Sequence, residues 1–157
     1  MLDATTILIV DNYPSVRNGL RALIETASDM VVVGDANDCA TAVQLAYTLQ
    51  PDVIILDMMS ASQDGIGIVR AIRRSSPRSQ ILILTGHERC DQVEDVFREG
   101  VRGYLLKDPL AANITAAIHA VLDGKLIIHR GIAHAVSGSS KMAPENYPDK
   151  MPEIFPT

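Results

Sequence analysis

The chain has 157 residues, a net charge of −5, and 47% hydrophobic but only 4% aromatic residues, with no Trp. That length suits one core burying roughly 70% of the unfolded surface, and the core has to be aliphatic. An acidic chain so poor in aromatics argues against direct contact with nucleic acid or an anionic membrane. Two cysteines, Cys39 and Cys90, make neither a disulfide framework nor a four-Cys zinc site. No apolar run nears the ~18 residues of a transmembrane helix. The start carries no basic, apolar leader, so the expected setting is cytoplasmic.

Taken in chain order, short continuous apolar runs alternate with helical stripes. The runs are Ile7–Val10, Val31–Val33, Val53–Leu56, Ile81–Leu84 and Tyr104–Leu106. Being apolar throughout, they fit strands buried on both faces of a parallel sheet. Between the first two, Val16, Leu20, Leu23, Ile24 and Ala27 keep 3.6-residue spacing behind Pro14, a good first-turn residue. Cys39–Leu49 is the second helix and stops before Pro51. Ile68, Val69 and Ile72 mark the third, ended by Ser76-Pro77, and Val93, Val96 and Phe97 the fourth, closed by Gly100. Asp108 caps the fifth, with Pro109 at its first position. Its stripe is Ile114, Ala117, Ile118, Val121 and Leu122, and Gly124 stops it. Five strand-then-helix units predict a (βα)5 α/β fold, a doubly wound five-stranded parallel sheet. Four of the eight prolines fall in the last fourteen residues, so the stretch from Ser137 to Thr157 reads as linker or tail.

In such sheets, ligands bind beyond the carboxyl ends of the strands. Asp11 and Asn12 follow the first strand, Gly34 and Asp35 the second, and Asp57 the third. Thr85 ends the fourth and Lys107 follows the fifth. In the flavodoxin-like order 2-1-3-4-5, Asp11, Asn12 and Asp57 converge, Thr85 and Lys107 flank them, and Asp35 lies further off. Close carboxylates repel one another, and a hard cation such as Mg2+ relieves this while keeping several waters. The hydroxyl and the ammonium suit phosphate oxygens, and a carboxylate in this setting can become an aspartyl phosphate. Singly, each residue reads as a turn, strand or surface residue; the fold is what gathers them.

The phrases Ile7-Leu-Ile-Val-Asp-Asn12, Pro51-Asp-Val-Ile-Ile-Leu-Asp57, Asp64-Gly65, Ile81-Leu-Ile-Leu-Thr85 and Gly103-Tyr-Leu-Leu-Lys107 resemble the receiver domain of two-component response regulators. The stretch Asn12-Tyr-Pro-Ser-Val-Arg17 is similar to the Asp-His-Pro-Leu-Val-Arg of receivers that precede a LuxR/NarL-type helix-turn-helix. The resemblance implies that Asp57 accepts a phosphoryl group from a histidine kinase. It matches Asp11 and Asn12 to the metal-binding pair, joined by Asp57 and the backbone carbonyl of Met59, with Mg2+ as cofactor. Thr85 and Lys107 match the phosphoryl contacts, and Tyr104 the aromatic that turns inward as Thr85 moves. It further implies a phosphoacceptor with possible self-dephosphorylation in place of a turnover enzyme. A homodimer is expected, and control of transcription through a DNA-binding domain outside this chain. Residues 1–125 would be the receiver and 126–157 a linker and flexible tail, with Gly124-Lys-Leu-Ile-Ile-His129 resembling the linker start.

Several positions depart from the pattern. Asn12 stands where a second Asp is usual, so Mg2+ is expected to bind more weakly. One reading keeps phosphorylation at a higher Mg2+ demand. The other makes the chain an atypical, phosphorylation-independent interaction or dimerisation module. Ser60, Ala61 and Ser62 replace Met-Pro-Gly, which loosens that loop. Met59 and His87 occupy the positions that tune acyl-phosphate hydrolysis. His119, His129 and His134 have no ligand spacing, and Cys90 reads as structural. A flavodoxin would need a Ser/Thr/Gly-rich loop in place of Asp11-Asn12-Tyr13-Pro14. A haloacid-dehalogenase-type phosphatase would want an acid where Met59 stands.

Overall fold

The structure, a computed structural model, describes residues 3–58, 65–86, 93–107, 114–129 and 153–155. Its elements in chain order are β1 (Thr5–Val10), α1 (Pro14–Ile24), β2 (Met30–Ala36), α2 (Cys39–Leu49), β3 (Val53–Asp57) and α3 (Gly65–Ser75). They continue with β4 (Gln80–Thr85), α4 (Val93–Arg98), β5 (Gly103–Leu106), α5 (Ile114–Leu122), β6 (Ile127–His129) and β7 (Glu153–Phe155). All strand pairs are parallel, and the first five run in the expected order β2-β1-β3-β4-β5. Two short strands then extend the sheet past β5, within the segment expected to be linker and tail.

The continuous apolar runs mean what parallel packing requires, because alternate residues of each strand feed two cores. Ile7, Ile9, Val53, Ile55, Leu82 and Leu84 pack with Leu20 and Ile24 of α1 and with Ala117, Ile118 and Val121 of α5. Leu8, Val10, Ile54, Leu56, Ile81 and Ile83 face the other way, against α2, α3 and α4. Ile127 joins the first core and Ile128 the second, so β6 is clamped by both layers. Two stripe positions differ from expectation: Leu23 and Leu122 are exposed. Each is the chain neighbour of a buried residue, Ile24 and Val121, at the margin of its helix's buried face.

Helix ends follow local chemistry. Asp38 caps α2 by accepting from Thr41 N at 2.7 Å. α4 gives way to Gly100 at φ +98°, a conformation a Cβ would oppose. The C-cap of α2 is Gln50, which is left-handed without being glycine. Its amide donates to Tyr47 O at 2.9 Å and to Ser75 O at 2.8 Å, which offsets the backbone strain. The expected cap Asp108 with Pro109 lies outside the described residues, as do Asp64, residues 60–62, Cys90 and His134.

Candidate functional site

Parallel pairing places the candidate residues together. β1 and β3 are neighbours with Val10 opposite Leu56, so Asp11 and Asp57 leave the sheet side by side. Asp57 pairs with Leu84, and Thr85 with Leu106, which brings Thr85 and Lys107 to the same edge. The Lys107 N–H donates to Thr85 O at 2.6 Å. Asp11, Asp57 and Thr85 are buried, at 1%, 1% and 0% exposure. Lys107 reaches across them, with Nζ 2.8 Å from Asp57 Oδ2 and in contact with Asp11 Oδ2. The other Asp11 oxygen, Oδ1, accepts from Tyr13 N at 2.8 Å, an Asx turn that shapes the start of α1.

The electrostatics are those of an under-neutralised pocket. Two carboxylates against one ammonium leave a single net negative charge among these three groups. Burial raises the Asp11 carboxyl above its ordinary value. Lys107 and the Tyr13 N–H work against this, and the charge of Asp57 adds to it. Burial alone would lower Lys107, but its hydrogen bonds to Asp11 and Asp57, and their charges, outweigh that and raise it. Lys107 is therefore cationic at neutral pH. Among the described residues no buried polar side-chain atom lacks a partner.

Asn12 lies next to Asp11 and is exposed. Carboxylate and amide oxygens are hard donors, and a net negative pocket invites a hard divalent cation that keeps much of its water. Oxygen donors of this kind, two carboxylates and an amide, fit Mg2+ with few protein ligands. Met59 and His87 lie outside the described residues. Tyr104 is buried on β5 beside Ile83 of β4, its ring inside the core. Asp35 stands apart as expected, gripped by Arg17 and Arg21 at 3.3 and 2.9 Å. His119 is half-exposed and pairs with Asp29 at 2.8 Å, a surface tie between α5 and the turn before β2.

Two contacts escaped the sequence reading. The exposed Tyr13 ring lies 5.8 Å from Lys107 Nζ, a cation–π distance at the mouth of the pocket. Arg17 donates to the backbone carbonyl of Asp11 at 2.6 Å. The only hint was their place in the phrase after Asn12, which carries no statement about direction.

Residues 7–119 match the family model of the response regulator receiver domain. Transcriptional regulatory protein LiaR of Bacillus subtilis is 35% identical over 140 residues, 89% of this chain and 66% of LiaR. Nitrate/nitrite response regulator protein NarL of Escherichia coli K12 is 28% identical over 137 residues, 87% of this chain and 63% of NarL. The chain spans less than two thirds of the length of either. A LuxR-family two-component response regulator from Aurantimonas sp. SI85-9A1 superposes with a TM-score of 0.79 at 31% identity, covering 87% of this chain and 98% of that one. The signal receiver domain of a Mycobacterium tuberculosis NarL gives 0.72 at 27% identity, covering 79% of this chain and all of that one. No described helix is long and apolar enough to cross a membrane.

Proposed function

The chain belongs to the response regulator receiver domain family, among relatives of LuxR/NarL type, and on that premise we propose that Asp57 is its phosphoacceptor. The donor is the phosphohistidine of a sensor histidine kinase. A carboxylate oxygen of Asp57 attacks phosphorus, the P–N bond breaks as the P–O bond forms, and the departing imidazole takes up a proton. The observation that carries this reading is the buried Asp57 carboxylate, hydrogen-bonded to Lys107 at 2.8 Å and flanked by Asp11 and Thr85. Lys107 can exchange its carboxylate contact for a phosphoryl oxygen, and the Thr85 hydroxyl can donate to another.

Asp11, Asp57 and the side-chain oxygen of Asn12 would hold Mg2+, with the Met59 carbonyl completing the set. When bound, the cation neutralises charge on the transferring phosphoryl group. With Asn12 uncharged, half-maximal labelling needs more Mg2+ than an Asp-Asp pair would. The chain acts as a phosphoacceptor in the cytoplasm and is not a turnover enzyme. Phosphorylation alters its dimerisation and, through a DNA-binding domain outside these residues, transcription.

Acetyl phosphate with Mg2+ is expected to add one phosphoryl group by intact-mass analysis, and Asp57→Asn to abolish it. A second reading is favoured by Asn12 and by a Tyr104 ring already inside the core. In it the chain is a phosphorylation-independent interaction module. No adduct at high Mg2+, in wild type and in Asn12→Asp alike, overturns the first reading in favour of the second.

A further inference from the structure

A bulge in an edge strand decides which helix Asp35 meets. Along β1 and β2 the pairing steps from Ile7 opposite Val32 to Leu8 opposite Gly34, so Val33 is an extra residue. One extra residue inverts the facing of every side chain after it. Gly34 consequently faces α2, where an added Cβ would lie 3.0 Å from Leu49 Cδ1, and Asp35 faces α1. There it meets two arginines one helical turn apart, with Arg17 Nε 3.3 Å from Oδ1 and Arg21 Nη2 2.9 Å from Oδ2. Arg17 alone goes further, its Nη1 donating to the Asp11 carbonyl at 2.6 Å. From the other side, the Asp11 N–H donates to Ala36 O at 3.0 Å.

We propose that Arg17, steered by Asp35, is a positioning residue that presets the Asp11–Asn12 pair for Mg2+; this rests on reading the site as a Mg2+-dependent phosphoacceptor. Segments that follow strands are ordinarily the mobile part of a fold. Here both backbone polar groups of Asp11 are fixed, one by β2 and one by Arg17. Its carboxylate is aimed by Tyr13 N and Lys107. A metal pair with one formal charge fewer depends more on such preorganisation, because less electrostatic attraction is available to pull a misplaced ligand into register.

Charge alone predicts the opposite sign. Arg17 is a cation next to an acidic pocket, so deleting it should tighten Mg2+ binding if electrostatics ruled. Positioning requires that deletion weaken it. Arg21 supplies the matched control, since it shares Asp35 and the α1–β2 tie but makes no described contact with Asp11.

Mg2+ is titrated without phosphodonor, following the amide NMR shifts of residues 11–13 and 57, and thermal melts are recorded in parallel. Arg17→Gln is expected to raise the Mg2+ midpoint roughly tenfold. Asp35→Asn is expected to raise it in the same direction, and it replaces Arg17→Gln as the test if that variant does not fold. Arg21→Gln should stay within about twofold of wild type despite a comparable loss of melting temperature. A midpoint unchanged or lowered in Arg17→Gln, or shifted alike in Arg17→Gln and Arg21→Gln, overturns the proposal. A wild-type chain that responds to Mg2+, while neither it nor Asn12→Asp takes label from acetyl phosphate at high Mg2+, overturns only the phosphoacceptor reading, and no Mg2+ response overturns both.

Discussion

Burial, and then the charge of Asp57, lift the Asp11 carboxyl above its ordinary value of 3.8 in spite of Lys107 and the Tyr13 N–H. A raised folded-state value means the fold holds that proton more tightly than the unfolded chain does. The stabilising contribution is therefore complete below about 3.8 and is lost as pH rises through the raised value. Once ionised, Asp11 no longer makes that contribution. Asp11→Asn keeps the shape without the charge, so it is expected to stabilise the chain at pH 7 by roughly 0.5–2 kcal/mol. Urea midpoints for variant and wild type should converge as pH is lowered toward 4, while Mg2+ binding by the variant weakens. Equal midpoints at pH 7 would contradict this account of Asp11. Lys107 has the same sign at the other end of the scale. Its raised value preserves stability below its ordinary 10.5 and loses it only in stronger alkali.

At the scale of elements, β1, β3, β4 and β5 were legible because strands buried on both faces need continuous apolar runs, whereas the edge strand β2 showed only through its three valines, of which Val33 is exposed. β6 was not, since three residues show no periodicity and only the pairing with β5 makes them a strand. Leu126-Ile127-Ile128 was there to be read, but its resemblance to a linker start masked it. Ile127 and Ile128 are 0% and 5% exposed, and burying one such side chain is worth about 1.5–3 kcal/mol. Together they supply about 3–6 kcal/mol, a large share of the 5–15 kcal/mol that typically holds a domain. A chain ending at residue 125 is therefore expected to unfold at far lower urea than one ending at residue 130. Coincident midpoints would show that β6 adds nothing to the fold.

Across the whole molecule, the site divides by how each part is encoded. Asp11, Asp57, Thr85 and Lys107 could be named in advance because strand ends of a parallel sheet converge whatever the loops do. The Arg17–Asp35 link depends on the one-residue parity change at Val33, which a run of three valines cannot announce. The route out of the site is a matter of register too. Thr85 ends β4, Ile83 lies opposite Tyr104 of β5, and Gly103 and Tyr104 lie opposite Ile127 and Ile128 of β6. Tyr104 and Ile128 share one core, so a change around Thr85 meets β6 through packed side chains as well as through the ladder. On the reading of Asp57 as phosphoacceptor, a population shift there is expected to reach β6 by this route. Beryllofluoride with Mg2+, a phosphoryl mimic, is expected to move the amide resonances of Thr85, Gly103 and Tyr104, and those of Ile127 and Ile128 with them. Perturbations confined to residues 11, 57, 85 and 107 would mean that β6 is a passive edge and that any signal leaves by another face. Loss of the shifts at 127 and 128 in Tyr104→Ala, with those at Thr85 retained, would locate the coupling in the aromatic ring and not in the backbone ladder.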